Sequence, residues 1–244
     1  MAPTITSSSL QPWRDRAGVL PPVLDEALQA CMTHPVPEAE CCDVLDLLGM
    51  LGCDAQTQAA ALWFELARAD PALWAAQRAK LPAEVQRLVG GQQAAEQVWA
   101  LHAQRAPEGA AEGLRRLLLA IVRDLRVVFV LLARQLARMR AAALLPAEQA
   151  AALARLTRDI HAPLANRLGI WQLKWELEDL AFRFLQPETY RRIAKLLDER
   201  RADREGFIRE SLDELQGALA AAGIHAELAG RPKHIYSIWK KMQR

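Results

Sequence analysis

Arg123-Asp124-Leu125-Arg126-Val127-Val128-Phe129-Val130-Leu131-Leu132-Ala133-Arg134 is the stretch on which the fold turns. Its apolar run, Val127–Ala133, is the longest in the central helix, and charged residues crowd both ends of it. A bilayer span needs about 20 apolar residues. This run is therefore a buried helix and not a membrane segment. A buried helix needs other helices around it, and the rest of the chain provides them. From Leu20-Pro21-Pro22 onward, Ala and Leu recur at helical spacing and β-branched runs are few.

Helices are expected over 23–32, 39–52, 55–69, 71–79, 83–89, 92–105, 109–140 (which admits a break), 147–168, 171–185, 188–201 and 204–222. Pro35, Pro37, Pro71, Pro82, Pro146 and Pro187 fall at or near their boundaries, where a missing N–H costs least. Residues 1–20 are Ser/Thr/Pro-rich and are expected to be loose. Ala226–Ala229, after the helix stop at Gly223, reads as a strand. The reading is thus an all-α body with a short β-led tail. A change near residue 165, from alanine-rich to dense in Trp, Phe, Arg and Glu, suggests a boundary.

The totals agree with a globular chain. Its 244 residues can bury a sizeable core, as one large domain or two small ones, and 52% are hydrophobic. A net charge of +2 is too small for a nucleic-acid coat, so any polyanion site must be local. Cys31, Cys41, Cys42 and Cys53 include no CxxC pair, and nothing at the start resembles a signal peptide. Reduced thiols in a cytoplasmic protein follow.

Three further stretches invite a closer reading. Leu168, Trp171 and Trp175 share one helical face, as do Leu177, Leu180 and Phe184, so this segment needs a packing partner; Lys174 and Glu178 form an i,i+4 pair. The run Arg191–Arg204 mixes its bases with Asp198, Glu199 and Asp203 and reads as a solvated face. Near the end, Gly230-Arg231-Pro232-Lys233-His234-Ile235-Tyr236-Ser237-Ile238-Trp239-Lys240-Lys241-Met242 sets a basic turn before an aromatic-lined helix, with no acid to neutralise it. That layout suits a polyphosphate.

Three segments together resemble the RelA/SpoT family of (p)ppGpp synthetase-hydrolases: Ile160–Ile170 running on to Lys174–Leu180, then Pro187–Arg204, then Gly230–Met242. They stand in the family's order and spacing, and the likeness is strongest from residue 155 onward. It implies an all-α, HD-domain-like helical bundle, then linking helices, then the first strand and helix of a truncated α/β synthetase domain. The corresponding division is a flexible N-terminus over 1–20, an inactive HD-type (p)ppGpp hydrolase-like domain over 21–165, linking helices over 166–205 and the start of the synthetase over 206–244.

Family members that hydrolyse (p)ppGpp carry a manganese site made of a His, an adjacent His-Asp pair and a distant Asp. A Glu-Asp pair one turn beyond helps to orient water. With Leu51–Thr57 as the anchor, the resemblance puts the His-Asp positions at Phe64 and Glu65 and the Glu-Asp positions at Arg68 and Ala69. The first histidine position falls near Glu40 and the distant aspartate at Arg134. Manganese takes oxygen or imidazole donors. Phe64 has no lone pair, Arg134 carries a fixed positive charge, and neither Arg68 nor Ala69 takes a proton from water. The hydrolase site is therefore expected to be dead, with no catalytic residue and no metal, as in the synthetase-only RelA-type branch. His34-Pro35-Val36 looks like the family's first-ligand phrase but lies several residues too early relative to Asp54. His34 with Cys41 and Cys42 is not a zinc spacing.

In the family's synthetase, pyrophosphate moves from ATP to the 3′ hydroxyl of GDP or GTP with magnesium. The resemblance assigns Arg231, Lys233 and Lys241 to the ATP donor. The chain stops at Arg244, ahead of the family's magnesium carboxylate and catalytic glutamate, so alone it is expected to be inactive and to hold no cofactor. Its implied partners are the rest of its own synthetase domain and, through C-terminal regions beyond it, the ribosome and tRNA; no membrane is involved and a homodimer is open. The leading function is the regulatory N-terminal part of a RelA-type GTP pyrophosphokinase of the stringent response. Two others stay open: an active metal-dependent HD phosphohydrolase of (p)ppGpp with atypical ligands, and a helical interaction module.

Overall fold

The computed structural model describes residues 9–105, 124–198, 201–228, 230 and 233–243. Its elements are helices: α1 Leu10–Ala17, α2 Pro22–Met32, α3 Glu38–Met50, α4 Ala55–Ala69, α5 Pro71–Gln77, α6 Ala83–Arg105, α7 Leu125–Ala141, α8 Ala147–Leu156, α9 Ala162–Arg167, α10 Trp171–Leu185, α11 Pro187–Asp198, α12 Arg201–Ala221 and α13 Ile235–Met242. Local chemistry starts several of them. The Asp54 carboxylate accepts the Thr57 N–H at 2.8 Å and opens α4; Asp70 does the same for α5 through Leu73, at 2.9 Å. Asp124 accepts the Arg126 N–H at 3.0 Å and opens α7.

Helix α7 is the axis of the body, as its sequence requires. Every residue from 130 to 137 is buried. Val127 and Leu131 join a cluster built from α1–α4 and α6, with Leu28, Leu62, Trp63 and Phe64 at its heart. Val130, Leu132 and Leu136 join a second cluster with α3, α8, α9 and α10. Arg140 of α7 then reaches out to the Glu176 carboxylate of α10 through two bonds of 2.6 and 2.8 Å.

Several expectations need correction. Leu10–Ala17, expected to be loose, is a helix: Leu10 and Trp13 are buried, and the Trp13 Nε1–H donates to Asp46 at 2.7 Å. The apolar pair Leu10/Trp13 outweighed the turn-forming composition around it. The two helices expected at 83–89 and 92–105 are one, α6. Both Gly90 and Gly91 are helical, and α7 packs against the second: a Cβ on Gly91 would sit 2.8 Å from Val127 Cγ2. Much of the expected helix 109–140 lies outside the described residues, and what is described begins at Leu125. The expected strand at 226–229 is not formed over the described residues 224–228, and Ala229 lies outside them. A strand's N–H and C=O groups need a neighbouring strand, and none stands beside this segment among the described residues. Across the expected boundary near 165, Leu164, Ile170, Leu173 and Leu177 share one cluster with α7.

The expected helix 147–168 is continuous to Arg167 but widens to a π-turn over Thr157–His161. Pro163 explains the widening. It has no N–H, and its ring would strike the carbonyl four residues back in a regular turn. Leu168 therefore lies outside α10, and Gly169, with φ 72°, makes the corner before it. The π-turn buries His161, whose Nδ1–H donates to the Leu156 carbonyl at 3.3 Å. Burial lowers the His161 pKa to about 4, helped by the Arg138 charge and opposed by the Leu156 bond. Below the ordinary histidine pKa of about 6.5 the unfolded chain binds this proton and the folded one does not. Folding stability should thus fall by roughly 2–3 kcal/mol as the pH drops from about 6.5 to 4. Denaturant melts across that range, compared with His161→Gln, check it; identical slopes for both would remove histidine as the cause.

Candidate functional site

Five of the six positions that the resemblance marks come together where α3, α4, α6 and α7 meet. Arg134 of α7 extends its guanidinium across the ring of Phe64, with Cζ 4.1 Å from the ring centre. Its Nε donates to Glu65 Oε1 at 2.7 Å, and the two side chains are only 5% and 7% exposed. Arg68 reaches the other Glu65 oxygen at 3.2 Å from the rim. Glu40 of α3 is near enough for the Glu65 charge to act on it, and its Oε1 is buried without a hydrogen-bond partner. Burial first, then Glu65, push its carboxyl above the usual range, against the pull of Arg134, Arg138 and Arg68. Ala69, the sixth position, is exposed at the last residue of α4 and takes no part.

Sequence reasoning missed Glu96. Its carboxylate takes Arg134 Nη2 at 3.4 Å and lies 3.9 Å from Arg68 Nε. The signal was present: Leu88, Gln92 and Ala95 mark the inward face of α6, and Glu96 stands beside them. A buried guanidinium has five donors, so one carboxylate was never enough. The cluster alternates acid and base and is held by four helices.

The other candidates in this part of the chain have structural duties. His34 Nδ1 faces the Ala30 carbonyl at 2.8 Å and finishes α2. Among the described residues no three His, Cys, Asp or Glu side chains gather in a way that could hold a metal ion. The four cysteines are free thiols. A thiol–thiol hydrogen bond with Cys31 and burial both push the Cys41 thiol up, and burial pushes Cys42 up to about 11. Such thiols are poor nucleophiles.

The second locus is the basic tail. Arg231 lies outside the described residues. Lys233 and Lys241 are both exposed, and they border a groove of about 320 Å³ between α10 and α13. Lys240 joins them from α13, and α10 adds Lys174, Trp175 and Glu178, which the tail's sequence did not announce. Lys174 and Glu178 form the expected pair, at 3.1 Å. Trp175 stacks on His234, with centroids 5.9 Å apart and planes at 23°, and Phe182 packs on Trp239 at 4.8 Å.

This helical body is what a family model for the HD domain describes, and that model matches residues 26–171. The chain belongs to the HD-domain family. The chain also resembles curated proteins. A GTP pyrophosphokinase of Escherichia coli is 43% identical over 205 residues, 83% of this chain and 28% of the relative. A probable guanosine-3′,5′-bis(diphosphate) 3′-pyrophosphohydrolase of Synechocystis is 51% identical over 136 residues, 55% of this chain and 18% of the relative. A GTP pyrophosphokinase of Myxococcus xanthus is 41% identical over 136 residues, 56% of this chain and 18% of the relative. These likenesses place the HD domain with the RelA/SpoT proteins. The chain spans less than a third of the length of each of these relatives. Among the described residues, no helix is long and apolar enough to cross a membrane.

Proposed function

We propose that this chain is the HD region of a (p)ppGpp-metabolising protein of the RelA-type branch, with its hydrolase pocket converted into an ion-paired core. The single observation that carries the reading is the Arg134–Glu65 pair laid against Phe64. A hydrolase would place manganese among these positions, and the donors do not suit it. The ring of Phe64 offers no lone pair, Glu65 is engaged by two guanidiniums, and Arg134 would set a positive charge beside the dication. Nor can Arg68 or the exposed Ala69 accept a proton from water. No hydrolytic step is routed through this pocket. Its role is to stiffen the body from which α10 leads to the basic tail.

In the whole protein, Arg231, Lys233 and Lys241 would contact the phosphates and base of an ATP donor, with magnesium and GDP or GTP completing a pyrophosphoryl transfer. The unbridged thiols suit a cytoplasmic setting. The test is direct. The chain, incubated with guanosine tetraphosphate and manganese, should release no pyrophosphate above a protein-free control. Release that scales with protein and vanishes in Glu65→Gln would overturn the converted-pocket reading in favour of a hydrolase with unusual ligands.

A further inference from the structure

Asp179 stands where three helices meet. Its Oδ1 accepts the backbone N–H of Tyr236 at 2.8 Å, across 57 residues of sequence. Its Oδ2 accepts the Tyr190 hydroxyl of α11 at 3.4 Å. The first N–H groups of a helix have no partner within it. In α13 the N-cap residue, His234, makes no side-chain capping bond, and Tyr236 is the second residue of the helix. The missing cap thus comes from α10. A carboxylate at this end also meets the positive pole of the α13 dipole.

Ring contacts fix the same junction from either side. Trp175 stacks on His234 just before α13 begins, and Phe182 touches Tyr236 at 5.7 Å and Trp239 at 4.8 Å. The Tyr190 hydroxyl is pushed up in pKa by burial and then by the Asp179 charge, so it stays a donor. Asp179 itself does not line the groove between the helices, whereas Lys174, Lys233, Lys240 and Lys241 do. Its negative charge is directed at a backbone N–H and a hydroxyl, away from whatever the lysines take.

We propose that Asp179 is a positioning residue: by capping α13 from α10 it holds Lys233, Lys240 and Lys241 along the groove that Lys174 and its partner Glu178 line from α10, where a polyphosphate chain would lie. The proposal rests on reading Lys233 and Lys241 as phosphate contacts. It adds that α10, a helix of the HD body's own core, sets the shape of that basic groove. A change in how α10 packs would then reach the lysines through this carboxylate and the rings beside it.

Two measurements on the same chain test it: amide hydrogen exchange over the first turn of α13, with α7 amides as internal reference, and calorimetric titration with inorganic tripolyphosphate. In Asp179→Ala, exchange at Tyr236–Trp239 should quicken by about tenfold or more while α7 is unchanged. Tripolyphosphate affinity should fall about fivefold or more. Asp179→Asn keeps an acceptor oxygen and should restore most of both. Lys241→Ala should weaken tripolyphosphate binding and leave exchange alone, a split that simple loss of structure would not produce. If Asp179→Ala also exposes α7, Asp179→Ser, whose hydroxyl falls short of the Tyr236 N–H, replaces it. Unchanged exchange, or unchanged affinity with quickened exchange, overturns the positioning role. A wild-type chain that takes up no tripolyphosphate overturns the phosphate reading itself, and the groove's purpose with it; neither result depends on the hydrolysis assay.

Discussion

Replacing Arg134 with alanine is expected to cost about 3–5 kcal/mol of folding stability, the penalty for stranding one partner of a buried ion pair. The Arg134 and Glu65 side chains are 5% and 7% exposed, so the pair is shielded from water in the native fold. Glu65 would keep only Arg68, which is half in solvent at 3.2 Å. The neighbouring Glu40 carboxyl, already pushed up by burial and by Glu65, would lose a cation that now lowers it. Phe64 would lose the group stacked on its face. A matched change, Arg134→Met with Glu65→Met, should cost less than Arg134→Ala alone, because it leaves no charge behind. Urea unfolding of the wild type and the variants measures both quantities. A loss below about 1 kcal/mol for Arg134→Ala, the scale of a surface pair, would show that water reaches Glu65 and that the pocket is not a closed core.

The second large effect lies in α10. Leu177→Ala should destabilise the chain by about 3–4 kcal/mol, within the range for a leucine deleted from a packed interior. Leu177 is 0% exposed and shares its cluster with α7, α8 and α9. Its loss opens a cavity where α10 joins the HD body, and the Arg140–Glu176 bond at the edge of that seam cannot fill it. Unfolding should remain a single transition, because α10 belongs to the same core as α7. A drop below about 1 kcal/mol, or two separate transitions, would mean that α10 belongs to a unit of its own and that the expected boundary near residue 165 is real.

The contrast between these two sites shows what could be read in advance. Helix α7 was legible as a buried helix because its apolar residues are continuous, but not its bounds: Arg134, the charge after the apolar run, lies buried in mid-helix, and the helix runs on to Ala141. Asp54 and Asp124 cap the starts of α4 and α7 through local bonds, but the helix expected over 109–140 ran through Asp124, so that start was not read in advance. The strand at Ala226–Ala229 was misread because strand formation depends on a neighbour that no local pattern specifies. Fused α6 and the π-turn at 157–161 were missed for related reasons. Gly91 is set by the approach of Val127, and the widened turn by how the chain accommodates Pro163.

The residue types at the positions that the resemblance marks were set by the sequence alone: an aryl ring, a carboxylate and two guanidiniums stand at Phe64, Glu65, Arg68 and Arg134. Tertiary structure decided what those groups do to one another. Side chains 69 residues apart in the chain form a 2.7 Å pair, and Glu96 on a third helix takes a remaining donor. It also brought α13 to Asp179, 57 residues away. Composition and periodicity report short-range propensity and the need for burial, whereas the geometry of a hydrogen bond between distant helices exists only once they have packed.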